Sequence, residues 1–469
     1  MAIKQRIHFD SNPEYFMGFL QSSIDEAGII GSVVYKDRAI EMLLDDADSQ
    51  KLEKFSELSE KRIAHSLFLG EIQTAHSNEQ ITPSHVTSKD YAIAPCPQCL
   101  LALTNPASEH YLDASLRCSH YNNPASESLQ ESVSFSPHYN GGDTLLLCDA
   151  TRIGELFYIT QDEVSALLSI EKPTLRVTIQ DEELKALTGK NYIKVRAPFS
   201  MASALVALNA KESGLPYLFF YDQMPLNAVV AKQNRIIIQD KRALLTPLES
   251  FSSQPLINRV LNIAKEAGFA QSLVAYMNSG GIAFYKHDRG NVQKMLSFGA
   301  FNQSKVMSEL QSNPLKARML QNFETQHPEI FEKIGIKEDR TLYEFLALLL
   351  GLSDESYEAL SEKSLEFHGS GGVKIDTFFN DGGLDYTAFM GSVMSFILAG
   401  TSSAYLAYSV YEALADSAIS TLTQLKSRTH LKHFIMLGDM FENSVLYSRI
   451  LSKFALEHPF FSKRFALDD

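Results

Sequence analysis

The sequence predicts a multidomain α/β protein. A ferredoxin-like unit opens it, a small cysteine-bearing segment follows, and a long α/β region runs to the end. Three observations carry this prediction. Residues 3–72 follow the order β-α-β-β-α-β. The four cysteines, Cys96, Cys99, Cys118 and Cys148, fall in one short stretch. From Thr151 onward, strand and helix periodicities alternate. Boundaries are drawn at 1–74, 75–150 and 151–469, with a further one near 270. A length of 469 residues suits several domains at the usual ~100–200 residues each.

Each element has a local reason. Ile3–Phe9 alternates as a strand does. Pro13 to Ala27 places Phe16, Phe19, Leu20 and Ile24 at helical spacing and stops at Gly28, a helix-ending signal. Ile29–Tyr35 and Ala39–Leu44 form a hairpin pattern around Lys36-Asp37-Arg38. Asp48–Lys61 reads as a charged amphipathic helix with Leu52, Phe55 and Leu58 inward, and Leu67–Ile72 as the last strand. Residues 73–90 are a polar linker, and Ser119–Asn140 an exposed loop rich in Ser, Asn, Pro and His. Further on, strands are expected at Thr174–Ile179, Tyr192–Arg196 and Tyr217–Tyr221. Helices are expected at Asp162–Ile170, Asp181–Leu187, Ser200–Glu212 and Pro255–Glu266. Ala228–Ala231 with Arg235–Gln239 makes one hairpin. Ser272–Tyr276 with Ile282–Tyr285 makes another, turning on Asn278-Ser279-Gly280-Gly281. Residues 290–367 and the last ninety read as mostly helical, apart from a short strand at Phe434–Leu437.

Composition narrows the function classes. Hydrophobic residues make up 45% and charged residues 21%, enough apolar surface to exclude a disordered chain. The net charge of −14 repels polyphosphates at long range, so no nucleic-acid partner is expected. Sparse cysteines and an N-terminus without an apolar core suit a reducing, cytoplasmic setting. Tyr386–Tyr411 carries no charge until Glu412, yet Gly400-Thr401-Ser402-Ser403 interrupts it. Two buried helices, the second capped by Ser402 or Ser403, are preferred over membrane insertion.

Three constellations bear on chemistry. Cys96-Pro97-Gln98-Cys99 is a C-x-x-C knuckle, which sets two thiolates on one side of a tight turn. Cys118 is the natural third zinc ligand and His120 the nearest fourth, with His110 and Cys148 as further candidates. Tyr121 stands where a second C-x-x-C would end, so a vestigial knuckle held by packing is the rival reading. The second constellation is Leu437-Gly438-Asp439-Met440-Phe441-Glu442-Asn443, a strand entering a glycine turn from which a helix leaves. Such a turn offers N–H groups to a phosphate, but Asp439 suits a helix cap and opposes an anion. The third is the set of glycine loops at Gly280-Gly281, Gly369-Ser370-Gly371-Gly372 and Gly382-Gly383, whose amides can cradle phosphate. No Walker A lysine pattern, H-E-x-x-H or G-x-S-x-G is present. Asp376, Asp381 and Asp385 surround one loop as Mg²⁺ candidates or, more simply, turn formers. His430 and His433 are read as favourable charge at a helix C-terminus.

The order of these parts resembles HypF, the carbamoyltransferase family of [NiFe]-hydrogenase maturation. Ile93-Ala94-Pro95-Cys96-Pro97-Gln98-Cys99-Leu100, with Asn105-Pro106-Ala107, Tyr111 and Cys118, follows that family's first zinc finger. Leu437–Asn443 is similar to its S-G-G-V-F-Q-N loop, and Tyr411-Glu412-Ala413-Leu414-Ala415 to the helix before it. The resemblance implies an acylphosphatase-type first domain, a zinc-finger-like segment and a C-terminal TsaD-like domain of the actin/Hsp70-type ATPase fold. It also implies zinc at Cys96, Cys99, Cys118 and His120. ATP with Mg²⁺ would lie at Gly280, Gly281, Gly369, Gly371, Gly372, Gly438 and Asn443.

The departures point away from catalysis. Asp10–Phe19, where the acylphosphatase signature falls, contains no arginine, and the catalytic Asn falls near Tyr35. The second zinc finger and the H-x-x-x-H metal pair are absent, and Asp439 replaces a glycine. The chain is also short for complete YrdC-like and TsaD-like domains together. Such depletion resembles the HydE accessory proteins of epsilonproteobacterial uptake-hydrogenase operons. The implied role is a non-catalytic cytoplasmic maturation factor that binds the hydrogenase large subunit or Hyp proteins. The alternative is a nucleotide-dependent carbamoyl-type transferase.

Overall fold

The computed structural model describes residues 2–468 other than 12, 38, 63–64, 84–92, 117, 119, 121–132, 223–226, 232–234, 240–247 and 381–382. The later part of the polar linker, much of the Ser119–Asn140 loop, Tyr121, the turn Lys232-Gln233-Asn234 and the pair Asp381-Gly382 therefore lie outside the described residues. The chain divides into two compact units, Met1–Pro247 with Lys463–Ala466, and Leu248–Ser462 with Leu467–Asp469.

The first unit opens with β1 (Ala2–Phe9), α1 (Glu14–Ala27), β2 (Gly31–Lys36), β3 (Ala39–Asp45), α2 (Ser49–Arg62) and β4 (Leu69–Ser77). The four strands form one antiparallel sheet in the order β2-β3-β1-β4. That is the expected β-α-β-β-α-β unit. Gly28 ends α1 at φ 68°, a left-handed conformation that glycine adopts without strain. Of the residues expected inward on α2, Phe55 is buried, while Leu52 and Leu58 are partly buried against the same core.

The last strand begins two residues later than the sequence predicts. The Leu67 N–H is drawn out of the ladder by the buried Glu171 carboxylate, 3.0 Å away. Tyr15 and Ser66 donate their hydroxyls to the same carboxylate, at 2.8 and 2.5 Å. Leu67 and Phe68 pack into the core, and only the Phe68 carbonyl is tied back to the end of β1, accepting from the Asp10 N–H at 2.9 Å.

A second sheet of seven strands uses β5 (Thr144–Leu147), β6 (Phe157–Tyr158), β7 (Thr174–Ile179), β8 (Tyr192–Arg196), β9 (Tyr217–Phe220), β10 (Asn227–Ala231) and β11 (Arg235–Gln239). The order is β11-β10-β7-β8-β5-β9, with β6 beside β7. β5 was not expected, because a four-residue apolar run carries no distinguishing period. One hydrophobic core runs from the first sheet through Ile93, Cys96, Cys99, Leu103 and Cys118 to this second sheet.

The second unit is built on β12 (Gln271–Asn278), β13 (Gly281–Asp288), β14 (Asn291–Ser297) and β17 (Phe434–Leu437), ordered β14-β13-β12-β17. The first three are antiparallel neighbours, and β17 joins β12 in parallel. β14 lies within the stretch read as helical. It is an edge strand with mostly exposed side chains, so burial imposes no alternation on its sequence. Helices fill the span between β14 and β17, apart from the short antiparallel pair β15 (Phe379–Asn380) and β16 (Gly383–Leu384). Tyr386–Leu398 and Ser403–Thr429 are separate, and the Ser402 side chain caps the second, as expected. Among the described residues, no helix is long and apolar enough to cross a membrane.

Candidate functional site

The metal candidates converge. Pro97 opens the helix Pro97–Thr104, and its fixed φ suits the first helical position. This geometry turns Cys99 back over Cys96, so the Cys99 N–H donates to Cys96 Sγ at 3.4 Å. Cys118 returns to the same place and accepts from the Cys96 N–H at 3.5 Å. The Nδ1 of His120 lies 3.1 Å from Cys96 Sγ and 3.5 Å from Cys99 Sγ. The four donor atoms all lie within 4.8 Å of one another. Tetrahedral zinc with Zn–S bonds of about 2.3 Å needs ligand atoms roughly 3.8 Å apart. Three sulfurs and one imidazole nitrogen at this spacing fit that ion.

The electrostatics favour a cation here. Hydrogen bonds from the Cys96 and Cys99 thiols hold Cys118 far below its ordinary range. The bond to Cys118 pushes Cys96 up to about 12, and bonds to Cys118 and Cys96 push Cys99 upward. Three buried sulfurs thus crowd around one negative charge. The knuckle is anchored from outside as well: the buried Arg62 donates from Nε to Gln98 Oε1 at 2.6 Å and pairs with Glu26.

Among the described residues no other cluster of this kind forms. His110 faces Glu109 and Asp113, at 3.6 and 3.9 Å, away from the sulfurs. Cys148 packs against the small core of Leu146, Ala207, Ala210, Leu218 and Phe220, and burial pushes its thiol up to about 12. Asp385 caps the helix Tyr386–Leu398, accepting from the Ala388 N–H at 2.9 Å. His430 forms the left-handed end of the helix Ser403–Thr429, and His433 stacks on Phe269 with centroids 4.2 Å apart.

The glycine-loop residues are a different case, because the chain's own groups answer their donors. Gly280 and Gly281 lie at the β12–β13 turn, and the Gly280 N–H donates to Asn278 Oδ1 at 3.1 Å. The neighbouring Ser279 donates both its N–H and its hydroxyl to the Asp439 carboxylate, each at 2.8 Å. Burial is the first cause that raises the Asp439 carboxyl above its usual range. The helix-cap role expected for Asp439 falls instead to Asn443, whose Oδ1 accepts from the Val445 and Leu446 N–H groups at 3.0 and 3.2 Å. Asn443 is wholly buried, and its Nδ2 donates to Ser361 Oγ and Ser364 Oγ, both at 2.9 Å.

Gly438 is required by packing. A Cβ there would lie 1.9 Å from the Met277 carbonyl oxygen, and its φ of 117° is strained for any other residue. The Gly372 N–H donates to Glu412 Oε2 at 2.7 Å, and a Cβ on Gly372 would meet Ser409 Oγ at 2.6 Å. A Cβ on Gly369 would strike the Phe367 ring, whereas Gly371 faces open space. Arg449 completes this clamp, donating to Glu412 at 2.8 Å and to Asp416 at 2.6 Å. With the Ser279, Gly280 and Gly372 amides engaged, a phosphate at these positions would have to displace the chain's own acceptors. Of the two acids that engage them, Asp439 and Glu412, only Asp439 is assigned a role at the site by the sequence. Its place in a glycine motif was the available signal.

No protein-family profile matches the chain. Protein HydE of Wolinella succinogenes is similar, 22% identical over 342 residues, which is 63% of this chain and 61% of that protein. The chain thus matches less than two thirds of that relative's length. The crystal structure of T. kodakarensis HypF superposes with a TM-score of 0.65 at 11% identity, over 99% of this chain and 96% of that one. Full-length HypF in its phosphate- and nucleotide-bound form superposes at 0.54, with 10% identity, over 100% and 96%. The fold is therefore that of HypF along the whole chain.

Proposed function

We propose that this chain is an accessory factor in [NiFe]-hydrogenase maturation that acts by binding rather than by catalysis. Its likeness to HydE and to the HypF fold supports the pathway. The observation that carries the non-catalytic role is the internal engagement of the glycine loops. Asn278 and Glu412 accept from the Gly280 and Gly372 amides, two of those that would hold a phosphate, and Asp439 from the neighbouring Ser279 amide. A transferase working there would first have to break these bonds.

In this reading residues 1–74 form an acylphosphatase-like domain without its catalytic arginine. Residues 75–150 hold a zinc-finger-like segment, and the rest keeps a HypF/TsaD-like outline. Zinc at Cys96, Cys99, Cys118 and His120 would be structural, since four protein ligands leave no open position for a substrate. The partner is the hydrogenase large subunit or a Hyp maturation protein, met in the cytoplasm.

Three measurements test the proposal. Purified chain should co-purify with a hydrogenase subunit or Hyp protein, and its deletion should lower hydrogenase activity. Calorimetry with ATP and Mg²⁺ should register no binding at millimolar nucleotide. Saturable heat would instead favour the carbamoyl-type transferase.

A further inference from the structure

Four donors from three separate elements of the second unit meet at one short segment. The helix Pro255–Ala267 carries Arg259, a residue only 4% exposed, whose guanidinium donates from Nη1 to the main-chain oxygen of Asp468. β12 carries Tyr276, whose hydroxyl donates to Asp468 Oδ1 at 2.8 Å. Asn278 Nδ2 donates to that phenol oxygen at 2.6 Å, which directs the phenol's own proton toward Asp468. Beyond β17, the Asp439 N–H donates to Asp468 Oδ2 at 3.0 Å and the Gly438 N–H to the Leu467 carbonyl at 2.9 Å. Leu467 is fully buried.

We propose that Arg259, Tyr276 and the N–H groups of Gly438 and Asp439 form a binding site for a small oxyanion, filled in this chain by its own Leu467–Asp468 segment. A buried guanidinium is costly unless an acceptor answers it. The segment supplies two carbonyls and a carboxylate to four donors, as a carboxylate or phosphate ligand would. Two negative groups limit what else fits. The Asp439 carboxylate, turned toward Ser279, and Glu358 both act on this region. They oppose a highly charged triphosphate and leave a small carboxylate or inorganic phosphate as the matching class. The proposal rests on the closed-loop reading above only in taking the full chain as already occupied.

The test compares the full chain, the same chain ending at Ala466, and full-length Asp468→Ala. Each is titrated with inorganic phosphate against chloride at equal ionic strength, reading Tm and calorimetric heat. The full chain should show no phosphate-specific response. The shortened chain should melt lower and recover with phosphate, binding it at least about tenfold more tightly than the full chain. Adding Arg259→Gln should abolish that recovery. Asp468→Ala bares the Tyr276 hydroxyl and the Asp439 N–H, and should give a smaller response of the same sign. If the shortened chain does not fold, Asp468→Ala decides. Folded variants that take no phosphate beyond chloride overturn the site. ATP uptake by the full chain overturns the closed-loop reading instead.

Discussion

The cysteine knuckle and the glycine loops began as the same kind of expectation, yet the structure treats them oppositely. At the knuckle, Cys96, Cys99, Cys118 and His120 turn their donor atoms toward one another, all within 4.8 Å. At the loops, the amide donors face acceptors from the same chain. The first arrangement gathers metal-ligand atoms at one point, and in the second two carboxylates already hold amides of the loops. A site's retained function is thus read from what its donors already touch.

Removing the metal is the sharpest way to break this contrast. Purified protein should carry one zinc per chain by elemental analysis. Cys118→Ala should lose it, with most of the roughly 10–16 kcal/mol that a structural zinc contributes near neutral pH. The knuckle shares one core with both sheets of the first unit, so the loss should appear as melting of that unit. Zinc-free protein with unchanged Tm would make the knuckle a packing device only.

Gly438→Ala comes next. Its Cβ would run into the Met277 carbonyl, so a stability loss of about 3–5 kcal/mol is expected in denaturant titration. A neutral result would remove the packing explanation for this glycine. Asn443→Ala should cost about 2–3 kcal/mol, through loss of a helix cap and of buried bonds to Ser361 and Ser364. Were Asn443 a ligand residue instead, stability would hardly move.

The smallest effect is the pH dependence of Asp439. Burial raises its carboxyl pKa in the folded state above the unfolded value. The folded state therefore binds the proton more tightly, and this contribution is fully present below the unfolded pKa. It fades as pH rises through the raised folded value. Asp439→Asn does not titrate. The Tm of the native chain should thus gain on that variant as pH falls from 7 toward 4. A constant difference would mean that burial leaves this carboxyl unperturbed.

Much of the first unit was legible because its signals are local. The alternation of Ile3–Phe9, the stop at Gly28 and the charged helix before Arg62 act within a few residues. All three appear where expected. Thr174–Ile179, Tyr192–Arg196 and Phe434–Leu437 appear with the expected bounds. β14 was illegible because an exposed edge strand needs no apolar face. The late start of β4 was equally hidden, since Glu171, 104 residues away, takes the Leu67 N–H.

The candidate sites divide along the same line. C-P-x-C with a later cysteine and histidine marks a knuckle from spacing alone, because a tight turn fixes where its sulfurs point. By itself the sequence determined most of the secondary elements, the knuckle's two cysteines and the likeness to HypF. Only the tertiary structure decided that His120 completes the donor set, and that Asp439 reaches Ser279 across 160 residues and Glu412 reaches Gly372 across 40. The physical reason is that a hydrogen bond depends on distance and direction in space. A glycine's amide looks the same in the sequence whether a phosphate or a carboxylate of its own chain answers it.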